Sequence, residues 1–185
     1  MTVMSPVERL LRMCPPDASP QVVEWEFLES QLGYILPGDY RELMAHYPLG
    51  SFDSFLGLWQ PMSAVPTADL QNQISRALVN LSSMLRAGGE LPAAEEMLVP
   101  VGGSDNGDRI YWVREPTASP DTWPLAINEP RGYRWHHYDG GIAAFLVDVL
   151  TTEIRVPFFP ASFPSSTPNF RKATLRPHRQ RMSGS

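Results

Sequence analysis

Residues 97–113, MLVPVGGSDNGDRIYWV, decide the fold class, because they have the pattern of two β-strands joined by a tight turn. The flanking runs are rich in valine, isoleucine and aromatic residues, which fit a pleated, half-buried surface. Between them, Asn106-Gly107 is the strongest short hairpin signal, since a type I′ turn needs positive φ at both central residues. The stretch therefore predicts a β-hairpin, with the turn-forming residues Asp105 and Asp108 at its exposed tip.

The strand pattern continues towards the C-terminus. WPLAINE (123–129) and YRWHHYDG (133–140) are two further predicted strands, separated from the hairpin by loops rich in Gly, Pro and Asp. GIAAFLVDVLTTE (141–153) then predicts a closing helix, because its large apolar residues recur at helical spacing.

Towards the N-terminus the spacing is helical instead. Four helices are predicted: one that starts at a Ser5-Pro6 cap, and three within 21–33, 36–50 and 67–89. In the third, Asp39 lies in the first turn, where the helix dipole favours an acid. The fourth is expected to bury one apolar stripe, formed by Leu70, Ile74, Leu78, Leu81 and Leu85.

Helices first, strands next and one closing helix predict an α+β fold. We expect a single domain with an antiparallel or mixed sheet of about five to six strands, one or two of them within 51–61, flanked by helices. The expected organisation is an N-terminal helix and linker over 1–19 and the α+β domain over 20–157. Residues 158–185 have no periodicity and are rich in Pro, Ser and Arg, so they are expected to form a disordered basic tail.

The cysteine count and the net charge indicate the expected compartment and the kind of partner. The chain has one cysteine, Cys14, so no internal disulfide framework is possible; the N-terminus lacks the pattern of a signal peptide, and we expect a cytoplasmic protein. No apolar run approaches the roughly 18–20 residues that span a membrane, so no membrane association is predicted. Residues 1–157 hold ten Lys and Arg against 20 Asp and Glu, a balance of −10, and 158–185 carry five basic residues and no acid. The acidic body disfavours nucleic acid and favours a basic protein partner, although acidity for solubility alone stays open.

Known catalytic and metal-binding patterns are missing. A phosphate-binding P-loop needs Lys after its last glycine, and an EF-hand needs a Glu twelfth from Asp105, where the chain has Pro116. His136 and His137 are neighbours in a predicted strand and point to opposite faces, so they cannot chelate one ion together. We therefore predict no enzyme, metal or cofactor, with a Mg²⁺-dependent hydrolase using Asp105 and Asp108 as the remaining alternative. Cys14 is expected to be a small buried hydrophobe.

The order of these segments resembles the SUKH superfamily, which includes the fungal Smi/Knr cell-wall regulators and many bacterial immunity proteins. The resemblance rests on WEFLE (25–29), on LGYILPGDYRELMAHYPLGSF (32–52), and on GGSDNGDRIYWV followed by WHHYDGGIAAFLVDVL. It covers roughly residues 20–155. The segment 61–100 and the chain after residue 157 are not parts of the family pattern, so their roles stay open.

The resemblance implies an α+β fold and a binding activity, with no catalytic residues to carry over. We expect a non-enzymatic protein-binding domain, an immunity protein that neutralises a basic, nuclease-type secreted toxin. The alternative is a regulatory or scaffolding module with an endogenous protein partner. Acidic side chains on the second helix and at the hairpin tip are the candidate binding residues, namely Glu24, Glu26, Glu29, Asp105 and Asp108.

Overall fold

The computed structural model of the chain describes residues 3–129, 131 and 133–174. These described residues form five α-helices: α1 (Pro6–Met13), α2 (Trp25–Leu32), α3 (Gly38–Met44), α4 (Leu70–Arg86) and α5 (Ile142–Leu150). The strands are β1 (Gly50–Phe52), β2 (Leu56–Leu58), β3 (Leu98–Ser104), β4 (Arg109–Val113), β5 (Leu125–Glu129), β6 (Arg134–Tyr138) and β7 (Phe170–Lys172). Short 3₁₀ turns cover Glu95–Met97 and Pro120–Thr122.

The seven strands form one sheet in the order β6-β5-β4-β3-β2-β1-β7, and every neighbouring pair is antiparallel. Six of the strands follow one another along the chain and in space, as expected where short loops connect antiparallel neighbours. The predicted α+β class is confirmed. The sheet has more strands than the five to six expected, because a C-terminal strand adds to the edge beside β1.

Helices cover both faces of the sheet. Helices α1, α3 and α5 pack together on the first face, where Trp112, Ile110 and Ile127 of the central strands enter the main core. Helix α4 covers part of the second face, where its Ala77 and Leu81 pack with Tyr111 in a smaller cluster. Because both faces of β3 to β5 are covered, those strands are buried along most of their length.

The predicted helix α4 is confirmed, but its predicted stripe is only partly right. Leu70 and Leu81 are buried, whereas Leu78 and Leu85 are exposed. The face towards the sheet also includes Gln73, which is buried because its amide donates to the Thr67 carbonyl and its oxygen accepts from Arg109. A polar residue whose donor and acceptor both have partners therefore lies on the buried face of α4, at a position outside the predicted stripe.

The chain after residue 157 is part of the domain. Phe170 of β7 lies against Tyr47 and Phe52, with ring centroids 4.9 and 5.1 Å apart, and β7 pairs with β1. The expectation of a disordered tail is therefore wrong for 158–174, because aromatic residues spaced without regular period still dock in the core. Residues 175–185 of the expected tail lie outside the described residues.

Helix α1 also belongs to the same core. Ser5 and Glu8 form the predicted capping box, and Val7 and Leu10 are buried. Cys14 is fully buried as predicted, and burial raises the pKa of its thiol to about 11. The predicted N-terminal helix therefore packs in the same core as the residues that follow it.

Candidate interaction surface

The turn between β3 and β4 forms at the predicted position with a different geometry. Gly107 has φ of +92°, whereas Asn106 is not among the residues with positive φ. The Gly107 amide donates to the Ser104 carbonyl at 3.1 Å, and the Ser104 amide donates to the Asp108 carbonyl at 3.0 Å. These bonds define a type I turn followed by a left-handed glycine, so the hairpin is confirmed and the type I′ assignment is wrong.

The two aspartates of this turn differ in exposure. Asp105 is exposed as predicted, and its amide donates to the Phe55 carbonyl at 2.9 Å. Asp108 is only 4% exposed, and its carboxylate accepts the Ser104 hydroxyl at 2.5 Å. Burial raises the pKa of Asp108 above its ordinary value. The placement of Asp108 at an exposed tip is therefore wrong: its side chain folds back to hold the turn together.

The two neighbouring histidines, His136 and His137, were also considered as metal ligands. Across the described ranges, no group of three His, Cys, Asp or Glu side chains is placed to hold a metal ion. His136 pairs with Ile127 and His137 with Ala126, and these strand partners lie on opposite faces of the sheet. The predicted divergence of the two histidines is confirmed.

The three candidate glutamates of the second helix fall into two groups. Glu24 and Glu26 are exposed. Glu29 is half-buried: its carboxylate accepts the Leu36 amide at 3.0 Å and lies 3.5 Å from the Arg41 guanidinium. Glu29 therefore braces the turn between α2 and α3, whereas Glu24 and Glu26 face outward.

Large apolar side chains on α2 and in the segments on either side of it are also exposed. The exposed fractions of Val22, Phe27 and Ile35 are 91%, 52% and 59%. We call Val22, Glu24, Glu26, Phe27 and Ile35 the α2 surface. Sequence analysis missed its apolar members, although the spacing held a signal: Leu28 and Leu32 share the inward face of α2, and Phe27 lies off that stripe.

Inward contacts fix the helix that carries this surface. The Trp25 ring meets Tyr40 edge to face at 6.2 Å, and the Arg41 guanidinium lies 5.2 Å from the same indole ring. Gln21 donates its side-chain amide to the Pro61 and Met62 carbonyls at 3.3 and 3.1 Å. A helix held by an aromatic anchor and hydrogen bonds presents its outer side chains in a defined arrangement.

The α2 surface and the hairpin turn lie towards opposite ends of β2. Asp105 contacts Phe55, just before β2, whereas Tyr40 beneath α2 donates its hydroxyl to the Trp59 carbonyl, just after β2, at 2.6 Å. In the part of the chain that the structure describes, Glu24, Glu26 and Asp105 enter no ion pair within 4 Å. Of these two acidic regions, only the α2 surface combines free carboxylates with several exposed apolar side chains.

None of the helices in the described residues has the length and hydropathy needed to cross a bilayer. Comparisons of the chain with protein-family models, with curated proteins and with solved structures found no match.

Proposed function

We propose that the protein is a non-enzymatic binding domain that holds a basic protein partner on its α2 surface. The observation that supports this most directly is the exposure of three large apolar side chains on and next to α2, together with the exposed carboxylates of Glu24 and Glu26, which form no ion pair with the described residues. Exposed apolar patches with polar rims mark protein-interaction sites, and aromatic residues are enriched among the anchors of such sites.

The partner we propose is a secreted toxin domain of nuclease type, which makes the protein a cytoplasmic immunity protein. Two observations support this choice. The motifs from WEFLE to WHHYDGGIAAFLVDVL resemble the SUKH superfamily, whose bacterial members are typically immunity proteins, and residues 1–157 carry a balance of −10. A nuclease domain that must bind phosphates has a basic surface, which is complementary to this charge.

The mechanism divides the work between charge and packing. Glu24 and Glu26 would steer a basic partner and raise the association rate, an effect that salt weakens. Phe27 would supply the anchor, since a few buried aromatic residues carry most of the energy of an interface. Truncation of Phe27 should then cost about 2–4 kcal/mol of binding free energy, and removal of one rim glutamate much less.

The first experiment is affinity capture from the native cell, read by mass spectrometry, with four forms of the protein. F27A and the double variant E24Q/E26Q test the anchor and the charge. V79A is the control, since Val79 is also apolar and exposed but lies on α4, over the other face of the sheet. We expect a basic protein to be captured by wild type and V79A and lost with F27A.

The second experiment tests the toxin directly. A toxin domain encoded beside the gene is co-expressed with wild type, F27A or V79A. We expect survival with wild type and V79A and death with F27A at equal protein levels. Equal killing with and without the wild-type protein would refute the immunity function, and equal capture by F27A and wild type would refute the α2 surface.

A further inference from the structure

A groove of about 490 Å³ opens on the second face of the sheet, between α4 and the strands β4 and β5. It lies apart from the α2 surface, which is carried by helices on the first face. Most of the polar groups in it are hydrogen-bond donors or can act as donors. Its polar lining includes Asn80, Ser83, Arg109, Tyr111, Asn128 and Tyr133.

Two polar side chains that line the groove, Tyr111 and Asn128, have hydrogen-bonding atoms that no described residue uses. Tyr111 and Asn128 are each 1% exposed. The Asn128 amide donates to the Arg134 carbonyl at 3.2 Å. Its side-chain oxygen and the Tyr111 hydroxyl have no hydrogen-bond partner among residues 3–129, 131 and 133–174. Both side chains line the groove, so these two atoms can form hydrogen bonds to a polar ligand that enters it.

Arg109 supplies the positive charge. One guanidinium nitrogen donates to Gln73 at 2.9 Å, which fixes the side chain, and no carboxylate within the described residues lies within 4 Å of the guanidinium. Asp108, next to Arg109 in the chain, accepts the Ser104 hydroxyl, and Glu129 of β5 accepts from Arg134 at 2.6 Å. Among the described residues of this acidic protein, the Arg109 cation therefore has no carboxylate partner.

An aromatic ring forms the rim. The Tyr133 side chain is 47% exposed. Its backbone φ is +50°, a conformation that residues other than glycine adopt at a cost in energy. Its ring lies near Gly89, just after α4, where an added methyl group would be 3.5 Å from the ring. The ring is thus available to stack on a planar ligand at the mouth of the groove.

We propose that this groove binds a small molecule in which a planar ring carries an oxyanion, either a carboxylate or a phosphate. Arg109 would hold the oxyanion, Tyr111 would donate its hydroxyl to it, and Tyr133 would stack on the ring. The groove volume lies within the range of small-molecule sites.

The protonation of Tyr111 fits this role. Burial raises its pKa to about 12, although Arg109 acts in the opposite direction. The hydroxyl therefore remains protonated at neutral pH and can donate a hydrogen bond to an anion. Arg109 and Tyr111 are two residues apart in β4, so their side chains lie on the same face of the sheet, and both line the groove.

The test titrates the full chain with four probes, followed by calorimetry and by backbone NMR. Benzoate and adenosine monophosphate each join a ring to an oxyanion, and they distinguish carboxylate from phosphate. Inorganic phosphate lacks the ring, and benzamide lacks the charge. We expect benzoate or adenosine monophosphate to bind at least about tenfold more tightly than phosphate and benzamide, with shifts centred on Ser83, Tyr111 and Asn128.

Three variants separate the site from nonspecific attraction. R109Q should raise the Kd of the more tightly bound probe by about tenfold or more, and Y111F should raise it several-fold. R86Q, which removes the same charge from an exposed position on α4 outside the groove, should leave binding unchanged. Y111F keeps the ring packing and serves if R109Q does not fold.

The proposal is overturned if neither benzoate nor adenosine monophosphate binds with a Kd below about 10 mM, because nonspecific contacts alone can give binding that weak. Equal losses in R109Q and R86Q would also overturn it. The result is independent of the toxin experiments, because none of the groove residues belongs to the α2 surface.

Discussion

Asp39 Oδ2 lies 2.9 Å from the backbone nitrogen of Ala143 and accepts its hydrogen bond, so α3 supplies the N-terminal cap of α5. The residue at the N-cap position itself is Gly141, which has no side chain to perform this role. The free amides at the start of a helix need an acceptor, and a side chain from another helix meets the same requirement as a local cap. The bond therefore joins two helices of the main core.

The first prediction is that D39A destabilises the protein by about 1–2 kcal/mol, because it leaves the Ala143 amide without its acceptor. D39N keeps a side-chain oxygen in place and should lose less at neutral pH. Urea denaturation gives both free energies of unfolding. Equal stability of D39A and wild type would show that the bond contributes nothing.

The second prediction concerns Gly141. A β-carbon there would lie 2.4 Å from Asp39 Oδ2, so G141S should destabilise the wild-type protein. The backbone of Gly141, with φ of −75° and ψ of 170°, is nonetheless suitable for an N-cap serine. In the D39A background the obstruction is gone, and G141S should raise stability by about 0.5–1 kcal/mol. A double-mutant cycle compares the free energies of unfolding of wild type, D39A, G141S and the double variant. If the effects of the two substitutions simply add, the steric argument is contradicted.

The third prediction is a pH dependence. Burial raises the pKa of Asp39 above its ordinary value of 3.8 and outweighs the hydrogen bonds from the Ala143 and Tyr40 amides. As pH rises past 3.8, the unfolded chain ionises first, so the stability of wild type relative to D39N should fall until pH passes the folded pKa. Above that pH the difference should be constant. Paired denaturation curves between about pH 3 and pH 8 measure it, and a difference that rises with pH would show a lowered pKa instead.

Local patterns predicted most of the fold. The hairpin at 97–113, the helix α4 and the closing helix α5 all follow from periodicity and from turn residues, because their signals lie within a few residues of one another. The strand β7 could not be predicted in this way. Phe170 of this strand packs on Tyr47 and Phe52, which are more than a hundred positions away in the chain. Local sequence patterns do not indicate such a contact.

The candidate surface was predictable in part for the same reason. A solvated helix face identifies Glu24 and Glu26, which the structure exposes. The different role of Glu29 depends on the turn that brings the Leu36 amide back to it, and Asp108 is buried by its own side-chain bond to Ser104. Burial of a polar group depends on partners that sequence spacing alone does not show.

The fourth prediction concerns the β1–β2 turn, which has the type I′ geometry that was expected at Asn106-Gly107. Asp53 and Ser54 both have positive φ, and the Phe55 amide donates to the Phe52 carbonyl at 3.0 Å. Glycine adopts this conformation without strain, but it also gives the unfolded chain more conformational entropy. We expect the relief of strain to be the larger effect, so that S54G raises the free energy of unfolding by about 0.5 kcal/mol. S51G, in the extended strand β1, is the control and should destabilise it. Thermal denaturation compares the two, and a loss of stability in S54G would count against the strain.

The fifth prediction tests whether 158–174 is part of the core. Phe170 is buried against Tyr47 and Phe52, and Gly50, two residues before Phe52 in β1, has no room for a β-carbon, which would lie 2.5 Å from the Phe170 ring. F170A should therefore cost about 3–4 kcal/mol, the usual loss when a large aromatic side chain leaves a cavity.

The control for F170A is R171A, one residue further along the same strand. Its side chain is exposed, so its removal should change stability by less than about 0.5 kcal/mol. Both values come from urea denaturation, with the slope checked for a change in the surface exposed on unfolding. If F170A were as mild as R171A, β7 would be a dispensable addition to the sheet. A large and selective loss in F170A means instead that the first strand of the domain is held in place by the last.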